Sequence, residues 1–346
     1  MINPDEGANS DGSLWAHRVS HYRTPRTSRA LAELCVTAVP FVLSWYAAYR
    51  AFEAGHVWLY LLLLVSTACF LVRLFLIQHD CGHQAFFADR SANDWTGRLI
   101  GTLTITAYAH WRHAHSIHHA TSGNLGRRGV GDIDTLTVAE YEARTRWTRL
   151  RYRLYRNPLI MFGIGPFFIF VVQNRLPAGF MRIGWRPWLS TMGTNLVIAL
   201  WVILLVHFIG LGAFLAIQVP VMLLSATAGA WLFYVQHQFE TTYWEEAEQW
   251  NGRAAALGGS SYYDLPPVLR WFTANIGVHH VHHLSSRIPF YRLPDVLRDY
   301  PELRATGRLT LWQSLRCVRL ALWDEKERRL ISFADLRRRL RGPIQA

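Results

Sequence analysis

The sequence predicts an all-α integral membrane protein. It has four transmembrane helices in two hairpins, a re-entrant or interfacial segment between them, and a cytoplasmic helical cap carrying clustered histidines. Three observations predict this. Hydrophobic residues make up 51% of the 346 positions, yet they are gathered into long blocks instead of recurring at the period of a soluble core. Four blocks reach the roughly 20 apolar residues that a spanning helix needs. The arginines flank those blocks more than they interrupt them, as cytoplasmic flanks do.

Residues 1–30 are polar, carry Arg18, Arg23, Arg26 and Arg29, and hold no apolar core. They read as a cytoplasmic tail and not as a signal peptide. The first span is expected at about 31–52, with Glu33 and Pro40 inside it, and the second at 57–78, with Arg73 as its one interior charge. Snorkelling of Arg73 towards the cytoplasmic face accounts for that charge. The third and fourth spans are expected at 187–209 and 211–236. Residues 53–56 and Gly210 leave so little chain between partners that each pair is expected to form an antiparallel hairpin. Trp95–Tyr108 is too short to cross. Pro158–Val172 is interrupted by Gly163, Gly165 and Pro166, which suits a re-entrant or interfacial segment.

Charge sets the orientation. The two short outer connections contain no Lys or Arg, whereas the tail, the middle segment and the C-terminal third are arginine-rich, so these three are expected in the cytoplasm. The resulting division is a tail (1–30), a membrane domain (31–310) and an Arg-rich C-terminal segment (311–346). The 36 basic residues against 24 acidic ones follow from this membrane-facing bias, and no module of the nucleic-acid-binding kinds accompanies them. The four cysteines, Cys35, Cys69, Cys81 and Cys317, form no CxxC pair. That excludes a disulfide framework, a zinc ribbon and an iron–sulfur cluster.

The chemistry lies in the histidines, sixteen in all. His79 and His83 follow the second span four residues apart and share a helix face. His115, His118 and His119 have i, i+3, i+4 spacing, and His279, His282 and His283 repeat it. His237 follows the fourth span alone. Each buried imidazole nitrogen requires a partner, so such stripes are rarely a packing device. Imidazole suits iron, copper, zinc and nickel alike. Eight or nine histidines, however, exceed what one tetrahedral or octahedral ion accepts, and point to two metal ions.

With its HxxxH, HxxHH and HxxHH boxes in this order and spacing, the sequence resembles the membrane fatty-acid desaturases. Trp111 and Arg112, Ala120–Gly123, Gly131–Thr137, Asn275–Leu284, Ile288 and Pro289 add to the resemblance, which covers roughly residues 30–310. It implies a diiron centre that uses O2 and two external electrons to remove two hydrogens from an acyl chain. By position it implies His79, His83, His115, His118, His119, His279, His282 and His283 as ligands, with His237 as the family's additional histidine. All nine must then lie on one membrane face, which a re-entrant middle segment allows. Related hydroxylases and ketolases acting on fatty acyl, carotenoid or alkane substrates are the alternative, and a non-catalytic metal- or lipid-binding protein the remote one.

Three neighbours are candidates for supporting the ligands. Asp80 could orient an imidazole, Asn275 could reach the metals through water, and His280, off the 279/282/283 stripe, could hydrogen-bond or pack. Asp132 and Asp134 read as loop-shaping. The substrate implied is an acyl lipid or fatty acyl thioester in the bilayer. No haem-binding His-Pro-Gly-Gly segment or cysteine set is present, so electrons are expected from a separate ferredoxin, rubredoxin or cytochrome b5 type donor and its reductase. Such an acidic carrier would dock on the arginine-rich face.

Overall fold

The computed structural model describes residue 12 and residues 14–176 and 184–340. The outer part of the N-terminal tail, residues 177–183 and residues 341–346 lie outside the described residues. In chain order the helices are α1 (Thr27–Glu53), α2 (Val57–Gly82), α3 (Arg90–Leu103), α4 (Tyr108–Thr121), α5 (Val138–Ala143), α6 (Arg146–Tyr155), α7 (Gly165–Val171), α8 (Trp185–Ile209), α9 (Leu211–His237), α10 (Gly252–Gly258), α11 (Pro267–Phe272), α12 (His279–Leu284), α13 (Leu293–Asp299), α14 (Leu311–Cys317) and α15 (Phe333–Leu340). The strands are β1 (Leu136–Thr137), β2 (Tyr262–Asp264), β3 (Arg308–Thr310), β4 (Leu320–Asp324) and β5 (Arg329–Ser332).

Helices α1, α2, α8 and α9, of 25 to 27 residues, are long and apolar enough to cross a membrane. At 1.5 Å per residue each measures about 40 Å, against a hydrocarbon core of about 30 Å. Each therefore has a turn or two to spare, and the spare C-terminal turns of α2 and α9 carry His79 and His237. Leu196, Leu200, Ile203 and Phe208 of α8 are exposed, as side chains facing lipid would be. Between helices the contacts are small and polar, as expected where apolar burial gives no preference for protein over lipid. Thr67 of α2 donates to Ser44 of α1 (3.0 Å). Ser225 of α9 donates to the Ala68 carbonyl (3.2 Å), and Tyr60 to that of Ala216 (2.6 Å). Helix α9 packs mostly on α2, while α8 is peripheral and also touches α3 and α4.

Arg73 does not snorkel. Its side chain is 1% exposed and forms an ion pair with Glu33 of α1. It also donates to Thr37 Oγ1 (3.0 Å) and to the Trp271 carbonyl, with its guanidinium 4.0 Å from the Trp271 ring centre. The isolated charges of the first two spans thus neutralise each other, which low-dielectric surroundings favour over two separate ions.

Helix α6 and the helical stretch Ile160–Arg175 meet at a bend of 56°, at Asn157 and Pro158, where proline cannot supply the next amide hydrogen. The described residues are mostly helical, with five short strands besides. β1, β4 and β5 form one sheet in that order, β1–β4 parallel and β4–β5 antiparallel. β2 and β3 form a parallel pair. In the first sheet region, Leu322, Ile331 and Leu336 close an apolar cluster with Leu136, Tyr141 and Tyr152, which packs the C-terminal segment onto the residues following α4.

Candidate metal centre

Four elements bring the histidines together. His79 lies in the last turn of α2 and His83 caps that helix. His115, His118 and His119 lie on α4, His237 ends α9, and α12 supplies His279, His282 and His283. The approach to α12 is tightly held. Ala274 and Asn275 adopt positive φ of 46° and 54°, and the Tyr263 amide of β2 donates to the Gly277 carbonyl (2.7 Å). A Cβ on Gly277 would stand 2.4 Å from the Tyr263 carbonyl oxygen, so only glycine lets the strand press this close.

All nine histidines fall into two groups whose ring nitrogens, one per residue, lie within 4.8 Å of one another. His79, His83, His115, His119 and His282 form one group, and His118, His237, His279 and His283 the other. The i, i+3, i+4 stripes are split between them. On α4, positions 115 and 119 turn to the first group and 118 to the second. On α12, 282 joins the first and 279 and 283 the second. The groups abut where the His119 and His283 rings stack, 4.1 Å apart and 14° from parallel.

Nitrogen spacing tests whether a metal fits. Nε2 of His115 lies 3.0 Å from that of His83 and 3.1 Å from that of His119, and His282 and His119 are separated by 3.2 Å. In the second group, His237 Nε2 is 3.1 Å from His118 Nε2 and 3.0 Å from His279 Nε2. A first-row ion bonded to imidazoles at about 2.1 Å holds neighbouring donors about 3.0 Å apart at right angles. The residues present fit two metal ions. Burial holds the imidazoles of His115, His119, His279, His282 and His283 well below their ordinary pKa of 6.5, reinforced by their positive-prone neighbours. They are therefore neutral, the state that binds a cation.

The opposite ring nitrogens of His118 and His237 have partners that fix tautomer and orientation. His118 Nδ1 pairs with Asp132 Oδ1, and His237 Nδ1 lies 3.0 Å from the Gly259 carbonyl oxygen. Asp80 accepts the Phe290 amide on Oδ2 (2.6 Å), while its Oδ1 is 3.4 Å from His79 Nδ1. Asn275 donates to the Phe290 carbonyl (3.2 Å), and so steadies the same turn as Asp80. His280 is fully buried outside both groups, and burial lowers its pKa to about 4. Trp111 stacks on His115 (4.7 Å, 17°), and Phe233 contacts His118 and His237.

Sequence reasoning missed Asp132, which it read as loop-shaping. The signal was Gly131, with φ +72° and an absent Cβ that would stand 3.0 Å from the Ala114 carbonyl oxygen and 3.2 Å from His118 Cβ. That glycine lets the loop lie against α4 and deliver the next residue's carboxylate to His118.

Comparison with known proteins agrees with this geometry. A family model described as fatty acid desaturase matches residues 56–314, a range containing both histidine groups. The chain is 43% identical over 320 residues to a fatty acid desaturase of Bacillus subtilis (strain 168), covering 92% of this chain and 90% of that one. It is 28% identical over 236 residues (64% and 61%) to an sn-1 acyl-lipid omega-3 desaturase (ferredoxin) of Synechocystis. To an sn-1 oleoyl-lipid 12-desaturase of the same organism it is 25% identical over 272 residues (78% and 74%). A match over most of the chain and a close relative over nearly all of it, both spanning the paired histidine groups, place this oxidoreductase in the fatty acid desaturase family.

Proposed function

We propose that the chain is a membrane-bound, O2-dependent acyl-lipid desaturase whose two histidine groups each hold one iron ion. The observation that carries the reading is the convergence of nine histidines into two abutting groups, at the nitrogen spacing metal ligation requires. When bound, the two irons supply the oxidising power for O2-dependent removal of two hydrogens from an unactivated acyl chain.

The protein's own residues prepare that chemistry. Asp132 and the Gly259 carbonyl keep the Nδ1 protons of His118 and His237, so both Nε2 lone pairs face the second group's centre. Asp80 ties α2 to the turn after α12 through Phe290, locking the helices that contribute to the first group. Trp111 stacks on His115, and Phe233 packs against His118 and His237. Among the described residues no carboxylate joins either group, so the donor field is all nitrogen.

One active centre collected from α2, α4, α9 and α12 requires the ends of those helices on one membrane face. The four long helices therefore pair as two hairpins, the bent α6–Arg175 stretch is re-entrant or interfacial, and the arginine-rich cap and tails are cytoplasmic. Residues 31–310 form the desaturase domain. The bend of 56° and the arginines of α6 support that arrangement. Electrons come from a separate small acidic carrier. Ferredoxin stands in the name of the Synechocystis relative, and supports a donor of that kind docking on exposed cap arginines.

The test is expression in a host with a suitable electron donor, followed by fatty-acid methyl-ester analysis. A new double bond that disappears in His118→Ala supports the reading. Hydroxylated or keto products in its place would move the chain to the oxygenating branch of the chemistry.

A further inference from the structure

A cavity of about 440 Å³ opens on the cap beside α12. Val278, the residue before His279, forms part of its wall. So does Tyr262, whose ring centre is 6.0 Å from that of His280. The charged wall is Arg270, Arg304 and Arg308 with one carboxylate, Asp264. Three guanidiniums against one carboxylate leave a formal excess of two positive charges.

The paired strands explain why the carboxylate does not fill the site. Tyr262 lies opposite Arg308 in the β2–β3 pair, and side-chain alternation puts Tyr262 and Asp264 on the same face. Asp264 accordingly accepts from Tyr262 Oη (3.0 Å) and from Arg308 Nε (3.0 Å) and Nη2 (2.7 Å). It also has Arg270 Nη2 at 3.8 Å, while the arginines keep donors to spare. Arg304 donates Nε to the Leu297 carbonyl (3.0 Å), and its two Nη groups make no hydrogen bond among the described residues. Nη1 of Arg270 and Nη1 of Arg308 are in the same state. Several guanidinium donors around one concavity match the oxygens of a phosphate.

The helices beside the cavity are also suited to lipid contact. β2 leads into α11 and β3 into α14, and both helices turn apolar side chains outward: Val268 and Leu269 from one, Trp312 and Leu315 from the other. Helix α11 packs Phe272 on Phe70 of α2 (5.2 Å). Phe70 lies nine residues before His79, about 14 Å down the helix. Helix α14 is tied through Ser314 to Tyr263 (3.0 Å), which accepts from Trp231 of α9 (3.2 Å). Both helices thus flank spanning segments, and Arg270 of α11 lines the cavity, so apolar side chains and guanidiniums lie side by side, as a site at the membrane interface requires.

We propose that this cavity is a phosphate site, filled by the headgroup of an anionic glycerophospholipid whose acyl chain is the one desaturated. That the lipid is a substrate rests on the function proposed above; that it binds here does not. The same guanidinium chemistry would accept free phosphate, so the experiment separates the two.

Purified protein is exchanged through micelles holding equal amounts of phosphatidylglycerol and a neutral diglucosyl-diacylglycerol, and retained lipid is counted by native mass spectrometry. Wild type is expected to retain phosphatidylglycerol by about tenfold over the glycolipid, Arg304→Gln to lose that preference, and Arg151→Gln on α6 to keep it. Millimolar inorganic phosphate should leave retention unchanged. Displacement by inorganic phosphate overturns the lipid assignment, and equal retention by wild type and Arg304→Gln overturns the site. In nanodiscs of phosphatidylglycerol, Arg304→Gln should raise KM with kcat unchanged. If wild type forms no double bond there, the desaturase reading fails while the retention result still decides the site.

Discussion

At the scale of single residues, the histidines and their partners were unequally legible. Ligand spacing is written directly in the chain, so all nine histidines expected at the centre are the nine that converge. Their division between two groups is not, because it depends on the angle at which α4 and α12 face each other. Asp132 was illegible for a related reason. Its contact with His118 exists only because Gly131 folds the loop against α4. Replacing a carboxylate that orients a ligating imidazole costs roughly 10–100-fold in metal affinity. Asp132→Asn is therefore expected to release metal from the second group at correspondingly lower chelator concentration, and Asp134→Asn, exposed two residues on, to behave as wild type. Equal chelator sensitivity in both variants would remove Asp132 from the centre. Gly131→Val should reproduce the Asp132 defect, since its side chain meets the Ala114 carbonyl and cannot keep φ +72° without strain.

At the scale of elements, the four long helices follow from long apolar runs, and the structure places them within a few residues of the expected limits. The strands were hidden because runs of two to five residues carry too little alternation to stand out. The Arg73–Glu33 pair shows what a linear reading omits. Each charge looked isolated in its own span, and only the packing of α1 on α2 joins them. Glu33 also pairs with the exposed Arg29 (2.7 Å), so removing Glu33 is the change that leaves a buried, unpaired charge, on Arg73, at a cost of roughly 3–5 kcal/mol, whereas replacing both by apolar residues is close to neutral. Glu33→Met alone should strongly lower stability to unfolding in detergent, and adding Arg73→Met should restore most of the loss. Additive losses in the double variant would mean that the pair is not coupled.

At the scale of the whole molecule, the account requires the histidine-bearing helix ends and the cap on one membrane face and the two short connections on the other. The described cysteines lie in spans or are buried, which keeps background low for labelling of introduced thiols. An impermeant maleimide should label Glu53→Cys and Leu211→Cys in intact cells, but Glu325→Cys on the cap only after permeabilisation. Labelling of Glu325→Cys from outside would invert the orientation. The four long apolar helices were legible because hydropathy acts over whole segments. The small cap sheets, and the cavity between β2, β3 and α13, depend on contacts between segments far apart in the chain.

The central claim is that two separate nitrogen-donor groups each hold an iron ion, and metal content per chain tests it most directly. Protein purified after iron-supplemented expression should carry about two irons per chain by elemental mass spectrometry, with His83→Ala and His237→Ala, one from each group, each falling towards one. A single iron in active wild type, or full activity with zinc or copper in place of iron, would contradict it.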